Sequence, residues 1–249
     1  MYFNDVHILF YLGIAIIGGI IGQIIDYCNK CFIKEQKILS KESLKKYKKT
    51  VLPNYWLILI TAVGYVCLLY KFGLGSTLSG NLDLLKFLIL FPMLECAFIV
   101  DLKEQIIPNR LTLLIFEIGL VIVFIHGFTN VNIAANLLVG MFAGAGIFML
   151  ITLIGGLIAG KEAMGMGDVK LMGALGLYFG LQSIIAISVL SFLIGAIGSL
   201  IYMIVKKKNA NNYIPFGPFI VVSSIISMFV PFSLLFVILM EVFSLGLYN

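Results

Sequence analysis

Charged residues are scarce in this chain: Asp, Glu, Lys and Arg make up 12% of its 249 residues, whereas hydrophobic residues make up 61%. A soluble domain of this length cannot bury that much apolar surface, so the composition excludes a water-soluble globular protein and points to lipid as the solvent. The apolar runs are continuous and lack the alternation that a membrane β-barrel requires. The sequence therefore predicts an all-α, polytopic membrane helical bundle.

Lys and Arg are also missing from the first ten positions, MYFNDVHILF. A cleavable signal peptide begins with a positively charged segment, so we expect the first apolar segment to be retained as a helix. A membrane helix needs about 20 apolar residues, within a wide range, and eight segments are candidates, of which the sixth is short. The glycines of GLYFGL predict a tight turn at 180–182, although 168–205 is also open to a different division. The eight candidate spans are 6–25, 55–72, 84–101, 110–127, 132–159, 168–180, 182–205 and 215–242. Internal repeats and low-complexity linkers are absent, so we expect one domain over 1–249.

Positive charge is concentrated in a few connecting segments, which hold 15 of the 17 Lys and Arg residues. Because cytoplasmic loops are enriched in these residues, the distribution predicts that these segments face the cytoplasm and that both termini lie outside. The segments are 27–54, 101–110, 160–170 and 206–214. The longest, 27–54, has Leu44, Tyr47 and Val51 at helical spacing among lysines. It is either a basic helix lying on anionic lipids or a solvated loop.

The few acids within or at the edges of the spans are the main candidates for chemistry, because acids there are costly and face protein or water. They are Glu95, Asp101, Glu117 and Asp168. Asp101 ends the third predicted span, and Asp168 begins the sixth, within GMGDVKL. Two close carboxylates share a proton, so one activates water while the other protonates a peptide carbonyl oxygen. The glycines before Asp168 allow backbone or substrate to approach closely.

Each of these acids is also compatible with a purely structural role. Asp168 follows glycines and precedes an apolar run, as an N-cap residue does. Asp101 is also placed as an interfacial acid that faces Lys103 or Arg110. Glu95 and Glu117 lie roughly 10 Å from the cytoplasmic ends of adjacent spans, where they can hydrogen-bond to each other with one of them protonated.

A different class of function, a proton-coupled transporter, would use all four acids as proton sites. It predicts inverted repeats and paired broken helices. The sequence shows no such repeat, which argues against a transporter. Transport is the alternative function to peptide hydrolysis.

Three segments, taken in order, resemble the motifs of the prepilin peptidases, also called type IV leader peptidases. DLKEQIIPNRLT (101–112) resembles the first-aspartate segment of that family, GMGDVKL its GxGD motif, and YIPFGPFIVVSS (213–224) the FGPF segment that opens the last span. The resemblance covers roughly residues 84–240. It implies a GxGD-type intramembrane aspartic protease in which Asp101 and Asp168 form the catalytic pair.

The resemblance also implies residues that shape the site or line the substrate, to which the two glutamates are added from their positions. They are Gly165, Gly167, Pro108, Asn109, Phe216, Gly217 and Pro218, with Glu95 and Glu117. The implied substrates are type IV prepilins or pseudopilins, whose leader is removed at the cytoplasmic face of a bacterial inner or plasma membrane. We expect no nucleic-acid partner.

Cysteine is scarce as well, and of the four cysteines only Cys28 and Cys31 form a CxxC pair. Many bacterial members of the family carry a larger first loop with two such pairs, which bind zinc and accompany N-methyltransferase activity. A structural zinc site takes four ligands. We therefore predict no metal and no cofactor, neither zinc at Cys28 and Cys31 nor S-adenosylmethionine, and no methyl transfer. Zinc shared by two chains and a methylase site elsewhere are the alternatives.

Two functions close to prepilin cleavage remain as alternatives. Presenilin-like GxGD proteases usually place a Tyr before the first catalytic Asp, whereas Val100 precedes Asp101 here and a Pro-Asn loop follows. That difference favours prepilin processing. The other alternative is a degenerate peptidase that only scaffolds a pilus machine, and the presence of both aspartates argues against it.

Overall fold

The computed structural model describes residues 2–3, 6–33, 54–75, 78–160, 164–206 and 215–243. Within these ranges, two short antiparallel strands, β1 (Tyr2–Phe3) and β2 (Val6–His7), precede eight helices. The helices are α1 (Ile8–Ile33), α2 (Tyr55–Phe72), α3 (Leu78–Glu104), α4 (Asn109–Thr129), α5 (Val131–Ala159), α6 (Met166–Lys206), α7 (Gly217–Phe229) and α8 (Phe232–Phe243). The start of the predicted loop 27–54 is helical up to Ile33, and the expected basic helix at 44–51 lies outside the described residues.

Five of the helices, α1, α2, α4, α5 and α6, are long and apolar enough to cross a membrane. Large apolar side chains such as Phe128 and Leu157 are exposed on their surfaces, as expected of faces that contact acyl chains. Helix α3 has 27 residues and carries Lys86, Glu95 and Asp101 within its apolar part. The prediction of an all-α, polytopic membrane protein is confirmed.

The end of the chain differs from the prediction. The single span expected over 215–242 is wrong, because α7 ends at Phe229 and α8 begins at Phe232. Val230 between them is extended, with φ −105° and ψ 125°. It precedes Pro231, whose ring disfavours helical backbone at the preceding residue. The proline therefore divides this apolar stretch into two short helices.

Helix α6 covers the sixth and seventh predicted spans, and its two halves meet at Gly180, whose φ of 74° and ψ of 178° are not helical. The turn expected at 180–182 is present there, because Gly144 of α5 contacts both Met172 before Gly180 and Ile184 after it, so the chain reverses direction between them. Glycine adopts this positive φ without steric cost. The backbone N–H of Leu181, just after Gly180, donates to Oδ1 of Asn136 on α5 at 3.3 Å. The bond gives this N–H a partner at a point where the helical hydrogen-bond pattern is interrupted.

The chain divides into two compact units, Met1–Glu104 and Gln105–Asn249, and the single-domain organisation stays a prediction. In the first unit, α1 and α2 approach closely at Gly18 and Gly22. A Cβ at either glycine would lie 2.9 Å from the α2 backbone. Small residues spaced by four let membrane helices pack with their backbones in contact.

In the second unit, glycines bring α5 and α6 together, and α4 packs on the other side of α6. A Cβ at Gly144 would lie 2.5 Å from the Met172 carbonyl oxygen. From α6, the fully buried Tyr178 donates its hydroxyl proton to the Ile115 carbonyl of α4 at 2.9 Å. These contacts hold the first half of α6, and with it Asp168, between α4 and α5.

Candidate active site

Asp168 lies in the first turn of α6 and is only 4% exposed. Its backbone N–H donates to the Gly165 carbonyl at 3.1 Å, which closes the first turn of the helix. The helix begins at Met166, so Asp168 is its third residue rather than the N-cap that the sequence left open. A carboxylate at this position is favoured by the positive end of the helix dipole.

The start of α6 contacts the short segment that precedes α4. Gly167 faces Ile107, which is buried, and a Cβ at Gly167 would lie 3.3 Å from the Ile107 Cβ. Three residues further along α6, Nζ of Lys170 donates to Oδ1 of Asn109 at 2.8 Å. The structure thus brings together two residues that the sequence marked, Gly167 and Asn109, and adds Lys170, which the sequence analysis did not select although it lies within GMGDVKL.

Pro108 and Asn109 start α4. Pro108 has φ −62° and ψ 129°, and its carbonyl accepts from the N–H groups of Leu111 at 3.0 Å and Thr112 at 3.2 Å. The ring fixes φ near this value and removes a donor that a helix start does not use. The motif Pro-Asn is therefore a helix start that presents Asn109 beside Lys170.

Asp101 belongs to the first unit, whereas Asp168 belongs to the second. Asp101 lies in the last turn of α3 and is 3% exposed. Both predicted catalytic aspartates are therefore buried at helix ends, Asp101 at the end of α3 and Asp168 at the beginning of α6. Their pairing stays a prediction.

Glu95 is buried in the interior of α3, where it is 6% exposed. Oγ1 of Thr61 on α2 lies 2.8 Å from Oε2 of Glu95 and 2.7 Å from the Leu57 carbonyl oxygen. A hydroxyl has one proton, so Thr61 donates to only one of these two acceptors at a time. Among the described residues, Oε1 of Glu95 has no hydrogen-bond partner. Glu117 is exposed on α4, and its expected bond to Glu95 stays a prediction.

The FGPF segment packs against the second half of α6. Phe216 precedes α7, and Gly217 and Pro218 are buried in its first turn. The Phe216 ring lies 5.1 Å from Phe192, and the Phe219 ring occupies the space above Gly198, where a Cβ would lie 2.5 Å away. The contacts described for this segment are packing contacts, and its role in lining the substrate stays a prediction.

An apolar cavity of about 520 Å³ opens beside the start of α6, between α4, α5 and α6. Apolar residues form most of its wall, and the polar residues Asn109, Thr112 and Lys170 also line it. Among the wall residues are Leu113, Phe116, Met141, Phe142 and Val169. Val169, which follows Asp168 in the sequence, lines this cavity, whereas Asp168 is not among the residues of its wall.

Cys28 and Cys31 lie near the end of α1, where Cys31 is buried and Cys28 is half-buried. Within the ranges that the structure describes, no group of three or more His, Cys, Asp or Glu side chains is arranged to hold a metal ion. The prediction that the protein uses no metal is not tested by this finding and stays a prediction.

The fold and the buried acids define a polytopic α-helical membrane protein with candidate catalytic groups at two helix ends. Residues 88–200, which include both aspartates, match the family model of the type IV leader peptidase family. The resemblance drawn from the sequence is therefore confirmed over this region, which is similar to the type IV leader peptidase family.

Curated relatives carry the name prepilin leader peptidase/N-methyltransferase. The protein from Xanthomonas campestris pv. campestris is 31% identical over 166 residues, which is 66% of this chain and 54% of the relative. The Aeromonas hydrophila protein is 29% identical, covering 64% and 54%, and the Legionella pneumophila protein is 34% identical, covering 52% and 44%. The chain spans about half the length of the curated relatives it matches. No solved structure matches it.

Proposed function

We propose that this protein is an aspartic endopeptidase of the bacterial inner or plasma membrane that removes the leader from type IV prepilins or pseudopilins at the cytoplasmic face. The observation that carries the proposal is the burial of Asp101 and Asp168 at two helix ends inside the region that matches the family. Acidic residues are almost never fully buried unless they are paired or functional. The names of the relatives supply the substrate class.

The reaction uses the two aspartates as a pair that shares one proton. The ionised carboxylate takes a proton from water, and the water oxygen attacks the scissile carbonyl carbon. The protonated carboxylic acid donates its proton to the carbonyl oxygen as the tetrahedral intermediate forms. When the C–N bond breaks, the first carboxyl gives the proton that it took from water to the leaving amine, and the second takes a proton from a hydroxyl of the intermediate, so the pair returns to its starting state.

The position of Asp168 supports a substrate that enters from the membrane edge. Asp168 lies in the first turn of an apolar helix, and the next residue, Val169, lines an apolar cavity. We also propose that the basic loop 27–54, of which 34–53 lie outside the described residues, contacts anionic lipid headgroups.

The relatives' names include a second activity, N-methyl transfer. We propose that this chain cleaves without methylating, since it carries one CxxC pair where the zinc-binding loop of many bacterial members carries two. Zinc and S-adenosylmethionine then take no part in its reaction.

The test is co-expression with a prepilin from the same genome, read by gel shift and by the mass of the new N-terminus. The proteins compared are wild type, Asp101→Asn, Asp168→Asn and the control Asp83→Asn, which removes a half-exposed acid at the start of α3. We expect wild type and control to trim the leader, both active-site variants to leave it intact at equal expression, and the product to lack a methyl group. An intact prepilin with wild type would contradict the proposal and favour the transporter or scaffold. A methylated product would contradict the second part alone.

A further inference from the structure

Two contacts fasten the segment before α4 to the first turns of α6. One is a packing contact, in which Ile107 fills the space above Gly167. The other is polar, in which Lys170 donates to Asn109 at 2.8 Å. We call these four residues the α4–α6 clamp. Its two halves lie on either side of Asp168 along α6, one residue before it and two residues after it.

The two contacts differ in how they restrict motion. The Ile107 side chain is buried, and the absence of a Cβ at Gly167 lets the two segments approach within van der Waals contact. The Lys170–Asn109 bond is exposed, so it competes with water and adds little stability by itself. The bond restricts the orientation of α6 relative to α4, because it joins Nζ of Lys170 to Asn109, the first residue of α4. Asn109 follows Pro108, whose ring limits the backbone.

The clamp also lies close in sequence to the other aspartate. Asp101 is followed by the end of α3 at Glu104 and by Gln105, which has a left-handed φ of 57°. Ile107 comes six residues after Asp101. The clamp therefore fastens the segment that begins at Gln105 to the helix that carries Asp168, both within the second unit.

We infer that Lys170 is a positioning residue that acts through Asn109, setting the orientation of the first turn of α6 and hence of Asp168. This inference rests on the proposed function. It assigns the lysine of GMGDVKL to the orientation of Asp168 and not to binding of the substrate or the leader.

A direct role in substrate binding is the competing assignment, because Lys170 and Asn109 also line the apolar cavity. The two roles affect different kinetic constants. Loss of alignment lowers kcat and leaves KM unchanged, whereas loss of a contact made equally to substrate and transition state raises KM.

The experiment measures kcat and KM for the full chain in nanodiscs with a prepilin from the same genome. The variants are Lys170→Met, Asn109→Ala, the double variant, Lys170→Arg as the conservative replacement and Lys71→Met as a control. Lys71 is an exposed lysine at the end of α2, in the other unit. We expect either single loss to lower kcat about three- to tenfold with KM unchanged, as for one hydrogen bond. The double variant falls no further, while Lys170→Arg and the control retain the wild-type rate.

Either of two kinetic results would overturn the inference. One is a raised KM with unchanged kcat in Lys170→Met, and the other is a double variant whose loss equals the product of the single losses. Thermal unfolding of the same proteins tests the contact without activity. If wild type does not cleave, the proposed function and the positioning role both fail, and coupled unfolding temperatures would then support the clamp as a structural contact alone.

Discussion

Two buried acids in this chain, Glu95 in the first unit and Asp168 in the second, have nearly the same exposure but different surroundings. Glu95 lies in the interior of a helix, where Thr61 faces it across the contact between α2 and α3. Asp168 lies at a helix start, with glycines before it, clamp residues on either side along the chain and its neighbour Val169 in the wall of a cavity. Burial alone therefore does not separate the acid that we propose to be catalytic from Glu95, whereas the position at a helix start does.

The largest expected effect is the loss of either aspartate. We predict that Asp101→Asn and Asp168→Asn each lower the cleavage rate of the purified protein by about 10²- to 10⁴-fold, the range of general acid–base catalysis. The double variant should lose no more than the worse single one, because the two groups act as a unit. The measurement is the initial rate of leader removal in nanodiscs, and additive losses in the double variant would argue against a shared proton.

A large effect on folding is expected from Gly22→Val in the first unit. The added Cβ would lie 2.9 Å from Ile58 Cα and from Thr61 Oγ1, and overpacking of this kind costs about 1–3 kcal/mol. The unfolding temperature should fall while kcat of the folded protein stays the same. Gly13→Val on the same helix is the matched control, because a Cβ there meets nothing within 4 Å. Equal losses in both variants would mean that the close contact between α1 and α2 is absent.

A smaller effect is expected where α4 meets α6. Tyr178→Phe removes one buried hydrogen bond, to the Ile115 carbonyl, and should destabilise the protein by about 1 kcal/mol. The control is Tyr55→Phe, which changes a tyrosine that is 70% exposed. The measurement is the unfolding temperature of the two variants and wild type. An unchanged unfolding temperature in Tyr178→Phe would contradict the packing of α4 on α6.

The smallest effect is expected for Glu95→Gln. The amide keeps an acceptor and gains donors, so Thr61 remains satisfied whether its proton goes to Leu57 or to residue 95. The unfolding temperature should stay at the wild-type value, and the cleavage rate should stay within about twofold of wild type. Glu117→Gln is measured in parallel, and a coupled loss in the two variants would instead support the predicted bond between the glutamates.

The sequence motifs predicted the residues of the second unit better than they predicted the contacts among them. Asn109 and Gly167 were marked from their motifs, and the structure places both in the clamp. The bond between Lys170 and Asn109 joins residues 61 positions apart, and no local pattern indicates such a pair. Lys170 instead looked like one more positive charge at the cytoplasmic edge of a span.

Of two breaks in the apolar segments, the one at Gly180 was predicted and the one at Pro231 was missed. The glycines of GLYFGL predicted the turn correctly, because glycine adopts the positive φ that Gly180 has. Gly144 of α5 contacts residues on both sides of this turn, Met172 and Ile184. Pro231 was missed because a long apolar window averages over a single proline that ends a helix.

The most direct test of catalysis by Asp168 compares the cleavage rates of purified Glu95→Gln and Asp168→Asn proteins, with wild type alongside, in one nanodisc preparation. We predict that Glu95→Gln retains the wild-type rate and that Asp168→Asn falls at least about a hundredfold below it. Similar rates for the two variants would contradict the assignment of catalysis to the acid at the start of α6.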